Sequence, residues 1–514
     1  MIKLNNVTIK TNKGRTLIEN LNLTINKGDK LAIIGEEGNG KSTILKAIFN
    51  KTLIEGYCSI SGDIISTGER FGYLEQKLAD KWLQHNVLNY LIINETTNEE
   101  DYSVYEKFAQ IDSFLKLLSV ENLIEGNPII STLSGGEKVK LQLIKILLNQ
   151  PTALLLDEPT NDLDIETLNW LQEFIKSYNN PIIFISHDEV LLEECANQIL
   201  HIEQLIKKSS PKYTLAKTSY SQYVADRNLA ITKQTQVALN ERRVKAKKEA
   251  VLTQIKQKVE NALNKAIRDP IAGRLLAKKM ANVKAQEAKN EKEELTEIPE
   301  VEEAVKIVVD KTVSIPNQKQ ILNLHIKELR VGNKTLSKNV NLSIYGAKKV
   351  AIVGKNGVGK TTLVKEIFKK LKEPQGLKIG YFSQNYYENL NYNNTPVEEL
   401  TSPSMNYNAQ TFLGSLKFTH DEMNTAISNL SEGQKAKLLL LKLIAEKNNV
   451  LLLDEPTRNL SPLSKPVIRK MLKEYNGAII AVSHDRMFIK DVYNEVYRLT
   501  EDGLNAVDIY NFNF

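Results

Sequence analysis

Two patterns of apolar spacing divide the chain. In its outer parts, short runs of consecutive apolar residues alternate with stretches where apolar side chains recur every three or four positions, the pattern of buried parallel strands joined by helices. Lys30–Ile34 and Lys349–Val353 are two such runs, each leading into a glycine loop and an apolar-periodic helix. Leu154–Leu156 and Leu451–Leu453 are buried-strand runs that end in paired carboxylates, and thirty residues beyond each Asp another apolar strand closes in Ser186-His187-Asp188 or Ser483-His484-Asp485. Residues 17–49 and 336–368 align without a gap and agree at 16 of 33 positions. Such self-similarity predicts one α/β domain present twice, over 1–205 and 301–514.

The middle, 206–300, obeys a different rule. Ala, Leu, Lys, Gln, Glu and Arg dominate it, and no aromatic residue occurs between Tyr223 and Tyr345, so it can build helix but no globular core. Ala230, Val237, Val244 and Val251 recur every seven residues, followed by Ile255, Val259 and Ala262. After a breaker at Asp269-Pro270-Ile271-Ala272-Gly273, a second helix reads Leu276, Met280, Val283, and Pro299 ends it. The narrow stripes predict a long α-helical hairpin linker with its tip near Arg268 to Arg274. Its first helix, of about 40 residues, would reach roughly 60 Å.

Charge sharpens this picture. From Glu241 to Lys289 there are 14 Lys or Arg against 5 Asp or Glu, a net +9, whereas the whole chain carries +6. A solvated spacer would mix signs, so the excess suits a polyanion with regularly placed phosphates. Without aromatic stacking partners, structured RNA fits better than unpaired bases. Lys265, Arg268, Arg274, Lys278 and Lys279 are the candidate RNA contacts.

Composition sets the remaining bounds. A length of 514 residues, 42% apolar and 25% charged, is ordinary for two to four globular domains. No apolar run approaches the roughly 18 residues that span a bilayer, and Met1-Ile2-Lys3-Leu4-Asn5 lacks the apolar region of a signal peptide, so a cytoplasmic location is expected. Cys58 and Cys195 form no metal or disulfide pattern and read as buried thiols; His85, His201, His325 and His420 read as structural.

The chemistry lies in motifs that occur twice. Gly35-Glu36-Glu37-Gly38-Asn39-Gly40-Lys41-Ser42, followed by Thr43, and Gly354-Lys355-Asn356-Gly357-Val358-Gly359-Lys360-Thr361, followed by Thr362, both match GxxxxGK[ST]. Glycines let backbone N–H groups turn inward around phosphates, Lys41 and Lys360 reach the β- and γ-phosphates, and the Ser42 and Thr361 hydroxyls can ligate Mg²⁺. Asp157 and Asp454 suit the metal, while Glu158 and Glu455 are placed to orient or deprotonate an attacking water. His187 and His484, at the ends of parallel strands, point into the nucleotide crevice. Leu133-Ser134-Gly135-Gly136-Glu137 and Leu430-Ser431-Glu432-Gly433-Gln434 each open a helix whose first amides favour an anion. Gln76 and Gln384 follow Gly-Tyr-Leu-Glu and Gly-Tyr-Phe-Ser.

In this order the motifs resemble the ATP-binding cassette family: Walker A, Q-loop, signature, Walker B with its glutamate, and switch histidine. Two cassettes on one chain with a basic helical linker resemble its ABC-F branch, as does Tyr220-Ser221-Gln222-Tyr223 at the linker entrance. The resemblance implies tandem ABC ATPase (P-loop NTPase) domains, ATP and Mg²⁺ as cofactors, and Gln76 and Gln384 as further metal and catalytic ligands. It implies Ser134, Gly135, Gly136, Ser431 and Gly433 facing the nucleotide held by the other copy of a head-to-tail pair within a monomer. In the branch the linker enters the exit site of the 70S ribosome, and its tip approaches large-subunit rRNA, P-site tRNA and the peptidyl transferase centre, with no membrane subunit. The extra residues of the first copy, within about 77–130 and centred on Asn94 to Tyr105, fall where the branch carries an arm; here it is short.

The short arm, extended tip and altered second signature resemble the antibiotic-resistance members, which displace lincosamides, pleuromutilins and group A streptogramins. A housekeeping ABC-F translation factor is the alternative within the branch. The ATPase subunit of a drug exporter is the alternative from another class, and a DNA-repair ATPase a third. Two departures stand out. Asp162 takes the place of the branch's usual His, with Ser461 ending the matching stretch of the second copy. Glu36 and Glu37 in the first phosphate loop, with Glu432 opposite, make the Lys41 site the expected weaker or slower one, unless all three point outward.

Overall fold

The computed structural model describes residues 1–93, 108–118, 120, 123–161, 163–205, 210–265, 270–291, 295–299, 313, 315–372, 376–385, 389–401 and 408–508. The expected arm residues Asn94 to Tyr105, Asp162 and the tip residue Arg268 lie outside them. The chain divides into two compact units, Met1–Tyr220 with Val301–Phe514, and Ser221–Glu300.

In the first unit each copy is built on a mostly parallel sheet. Strands β1 (Ile2–Thr11), β2 (Thr16–Ile25), β3 (Lys30–Ile34) and β4 (Cys58–Ile65) open the first copy, and β1, β2 and β4 pair antiparallel in the order β2-β1-β4. Strands β5 (Phe71–Leu74), β6 (Ala153–Asp157), β7 (Ile182–Ile185), β8 (Gln198–Leu205) and β9 (Ser210–Ala216) join β3 in a six-stranded sheet, order β5-β6-β7-β3-β8-β9, antiparallel only at its β8/β9 edge.

The second copy repeats this order. After the hairpin of β10 (Gln320–Val331) and β11 (Lys334–Tyr345), strands β12 (Lys349–Gly354), β13 (Ile379–Phe382), β14 (Val450–Asp454), β15 (Ala478–Val482), β16 (Glu495–Thr500) and β17 (Gly503–Val507) form β13-β14-β15-β12-β16-β17. Strand β4 occupies part of the extra length between phosphate loop and glutamine that the first copy has. Helices cover both faces of each sheet, which is why β3, β6, β7, β14 and β15 are buried at every position and read as unbroken apolar runs. Each sheet reverses strand order beside β3 or β12, and at that crevice the carboxyl ends of the parallel strands converge. Asp157 and Asp454 end β6 and β14 there, and both phosphate loops leave their strands into the same crevice.

The second unit is the helical hairpin, and two expectations about it need correction. Its helices run Tyr220–Lys265, 46 residues and so about 69 Å long, and Pro270–Glu291. The expected breaker is therefore mostly helix: of its residues, Pro270 to Gly273 lie within the second helix. Arg274 consequently sits on that helix rather than in the turn, with Lys278 and Lys279 further along it, where the second helix was expected. Residues 295 to 299 are not helical, so the helix ends before Pro299; this segment is tied to the first helix where Glu241 accepts the Thr296 N–H (2.7 Å) and Gln234 donates to the Glu297 carbonyl (3.0 Å).

The second correction concerns register. Val237, Val244 and Val251 are each about half exposed, whereas Ala238 is fully buried and Val259 and Val283 are only 7% exposed. Beside the valine heptad the seam thus runs one residue later, through Ala238 and Leu252, while Val259 and Val283 are buried as the stripe predicted. Small Ala238 lets the return segment approach, and Lys256 meets Glu287 at 3.0 Å across the two helices. We expect Val259→Asp to strip amide-exchange protection from the hairpin, a local loss of about 3 kcal/mol. Val251→Asp should leave protection unchanged; equal effects would restore the original register.

Candidate nucleotide sites between the two copies

Each phosphate loop is shaped by glycine. A Cβ on Gly35 would lie 2.3 Å from the Ile202 carbonyl oxygen and one on Gly354 2.5 Å from that of Leu499, so no other residue lets the loop leave its strand so close to β8 or β16. Lys41 donates to the carbonyls of Gly35 (2.8 Å) and Glu36 (3.0 Å), and Lys360 to those of Gly354 (2.8 Å) and Lys355 (2.9 Å), which holds each ammonium inside its loop. Burial lowers the pKa of both. Gly38, Gly40, Gly357 and Gly359 take positive φ and turn the loop inward. Thr43 and Thr362 stand in the first turns of Lys41–Phe49 and Lys360–Leu371. The Asn39 side-chain amide donates to the Ile202 carbonyl (3.1 Å) and the Val358 side chain packs into the core, which leaves their backbones for an anion.

The carboxylates converge on the loops. Ser42 Oγ donates to Asp157 Oδ1 at 2.9 Å, and Tyr73 to its other oxygen at 3.2 Å. Glu158 accepts from Gln76 (3.1 Å) and Asn161 (2.7 Å) on one oxygen and lies 3.1 Å from His187 Nε2 on the other. In the second copy the His484 N–H reaches Glu455 at 3.3 Å and its Nε2 stands 3.6 Å away, while Gln384 lines the crevice without joining the glutamate. Glu158 and Glu455 both adopt left-handed backbone, φ 49° and 53°, a strain of about 1–2 kcal/mol each that sets the carboxyl at the strand end. Burial would raise Glu158, but His187, Lys41 and Asn161 outweigh it and hold the carboxyl at about 2. At Glu455 burial wins over Lys360, Asp454 adds to it, and the carboxyl is pushed up to about 8. Burial keeps both histidines below their ordinary range.

A divalent cation fits these donors. Buried Asp454 faces the Thr361 hydroxyl and Asp157 is paired with the Ser42 hydroxyl, so hard oxygen ligands lie together beside each phosphate loop.

The signature stretches complete the sites from across the pair. Ser134 with Glu137, and Ser431 with Gln434, form capping boxes that fix the starts of Gly135–Leu148 and Glu432–Ala445. The two serine hydroxyls are therefore engaged in their own helices. Gly136 is required by packing, since a Cβ there would lie 2.9 Å from Thr167 Oγ1. A cavity of about 1260 Å³, roomy enough for a nucleoside triphosphate, is lined jointly by Ser134 and Gly135 of the first copy and by Lys360, Thr361 and Thr362 of the second. Across the same gap the Asn356 N–H donates to Asp164 at 3.2 Å. At the other interface the Gly433 N–H donates to Glu37 at 3.0 Å.

Sequence reasoning missed what holds the copies together. Among the described residues, ion pairs that cross between them include Glu36–Lys417 (3.9 Å), Glu166–Lys355 (3.2 Å), Glu189–Arg469 and Asp188–Arg486 (2.7 Å). In each, the first copy supplies the carboxylate and the second the cation. Arg486, only 1% exposed, also donates to Asn169 and Gln172, both at 2.9 Å. The available signals were charge reversals at matched positions: Glu36 against Lys355, and Glu189 against Arg486. Cys58 and Cys195 are buried free thiols, as expected.

The sequence model of the ABC transporter family matches residues 18–161 and 337–458. YdiF of Bacillus subtilis is 29% identical over 558 residues, covering 96% of this chain and 80% of that one. ABC transporter F family member 2 of Arabidopsis thaliana is 27% identical, with 98% and 77% covered. Among solved structures, the archaeal ribosome recycling factor aABCE1, crystallised with stalk protein aP1, shares the fold with TM-score 0.59 at 17% identity, over 98% of this chain and 89% of that one.

Two outcomes follow from the geometry. Glu158→Gln and Glu455→Gln should each lower ATP turnover, and the pair together should abolish it to about 1% or less; a double variant with more than half the activity would remove these glutamates from the chemistry. Arg469→Glu, placed against Glu189, should weaken closure, and adding Glu189→Arg should recover it, with a coupling of about 1–3 kcal/mol in a double-mutant cycle on turnover.

Proposed function

Since the chain belongs to the ATP-binding cassette family, in the paired-cassette form of its F-type relatives, we propose that this ATP hydrolase is a clamp that binds two ATP and engages the ribosome through its basic hairpin. The observation that carries the reading is the joint lining of one cavity by the phosphate loop of one copy and the signature helix of the other. A nucleotide so placed contacts both copies only when they are paired, so its binding energy favours the closed state.

Lys41 and Lys360 with the loop amides would hold the triphosphate. Ser42, Asp157 and Gln76, or Thr361, Asp454 and Gln384, would hold Mg²⁺, which when bound neutralises charge on the phosphate oxygens. Glu158, ionised and anchored by Gln76, Asn161 and His187, is set to orient or deprotonate a water. Hydrolysis removes the bridging contact, and the pair reopens.

The hairpin supports the choice of partner: a first helix of about 69 Å and a net +9 from Glu241 to Lys289 offer phosphates a long basic surface. Among the described residues no helix is long and apolar enough to cross a membrane. The finer reading is that the tip, with Lys265, Arg268, Arg274, Lys278 and Lys279, works near P-site tRNA and large-subunit rRNA and relieves inhibition by lincosamides, pleuromutilins or group A streptogramins. A housekeeping translation factor would use the same parts without any drug.

Growth inhibition by a lincosamide and a pleuromutilin should be relieved in cells expressing the wild type, while the Glu158→Gln/Glu455→Gln variant should co-sediment with ribosomes and fail to release. Co-sedimentation without protection selects the housekeeping role; absence from ribosomes overturns both.

A further inference from the structure

At matched positions the two interfaces carry one carboxylate each, on opposite sides. The second phosphate loop has Asn356 facing Asp164; the first has Glu37, and the position matching Asp164 is Ser461. These carboxylates do different things. Asp164 caps its own helix through Thr167 N (3.0 Å) and Oγ1 (2.7 Å) and meets the opposite loop at a backbone N–H. Glu37 projects from a phosphate loop and accepts the Gly433 N–H, in the first turn of a 14-residue helix whose free amides favour an anion. Its neighbours are otherwise engaged: Glu36 stands 3.9 Å from Lys417, and Glu432 pairs with Lys435 at 2.8 Å on its own helix. Of the three acidic residues expected to burden this site, Glu37 alone reaches across onto the signature amide.

We infer that Glu37 is a built-in anion of the first interface, competing for the Gly433 end of the signature helix with the terminal phosphate of a nucleotide on Lys41. This rests on the reading of both loops as ATP sites. One consequence follows: the Lys41 site binds triphosphate more weakly than the Lys360 site, because a carboxylate must leave the amide and remain near a polyanion.

The test uses the full chain without ribosomes and reads equilibrium binding of Mg-ATP. Lys360→Ala confines binding to the Lys41 site. Adding Glu37→Gln, which keeps length and an acceptor but removes the charge, should tighten binding about tenfold, and Glu37→Asn, which copies the second loop, should move it the same way. Unchanged or weaker binding in both variants overturns the inference alone. Wild-type affinity in a Lys41→Ala/Lys360→Ala variant overturns the reading of the loops, and the inference with it.

Discussion

The pairing of the two copies depends on helix N-termini that need an anion. A phosphate loop and a signature stretch each present backbone amides with no partner in their own helices, and the fold aims one of each across both gaps. Two such ends repel unless negative charge lies between them. A triphosphate supplies that charge from solution, and the chain supplies some of its own: Asp164 on one side, Glu37 on the other. The rest of the structure keeps these ends in register. The apolar strands converge at the crevice, glycine permits the tight exit from β3 and β12, and the capping boxes fix where each signature helix begins.

Charge polarity across the pair serves the same register. Among the described residues, the ion pairs Glu36–Lys417, Glu166–Lys355, Glu189–Arg469 and Asp188–Arg486 place the carboxylate on the first copy and the cation on the second, so at these positions two first copies would meet carboxylate against carboxylate, and two second copies cation against cation. Duplication made the halves alike in fold; these substitutions made their faces complementary. The glutamates differ accordingly. Glu158 sits within a full set of donors and stays ionised, whereas Glu455 has fewer and is pushed up by burial.

Much of this was legible in the residues. Unbroken apolar runs marked the buried strands because both sheet faces are covered, and the doubled loop, carboxylate and histidine spacings placed the sites at the strand ends. The hairpin was legible as helix and, at Val259 and Val283, in its buried stripe, but not in register at its base: the valines every seventh residue gave the stronger periodic signal, yet burial there fell on Ala238, chosen by what packs opposite. The strained backbone of Glu158 and Glu455 leaves no trace in a residue type, since nothing marks a glutamate for positive φ. The cross-copy pairs link residues hundreds of positions apart, where local pattern carries no information. Glu37 was legible as a misplaced charge, though its partner was not.

Arg486 gives the assembly an order in time. Its guanidinium is buried among Asn169, Gln172 and Asp188, groups made roughly 300 residues earlier by a ribosome that works from the N-terminus. The first copy must therefore fold and persist with its acidic face open to water, and that face suits the wait, because carboxylates stay hydrated where an apolar surface would aggregate. Only when the second copy emerges and folds does the arginine arrive to lock the pair, so vectorial synthesis itself makes joining the final step of folding.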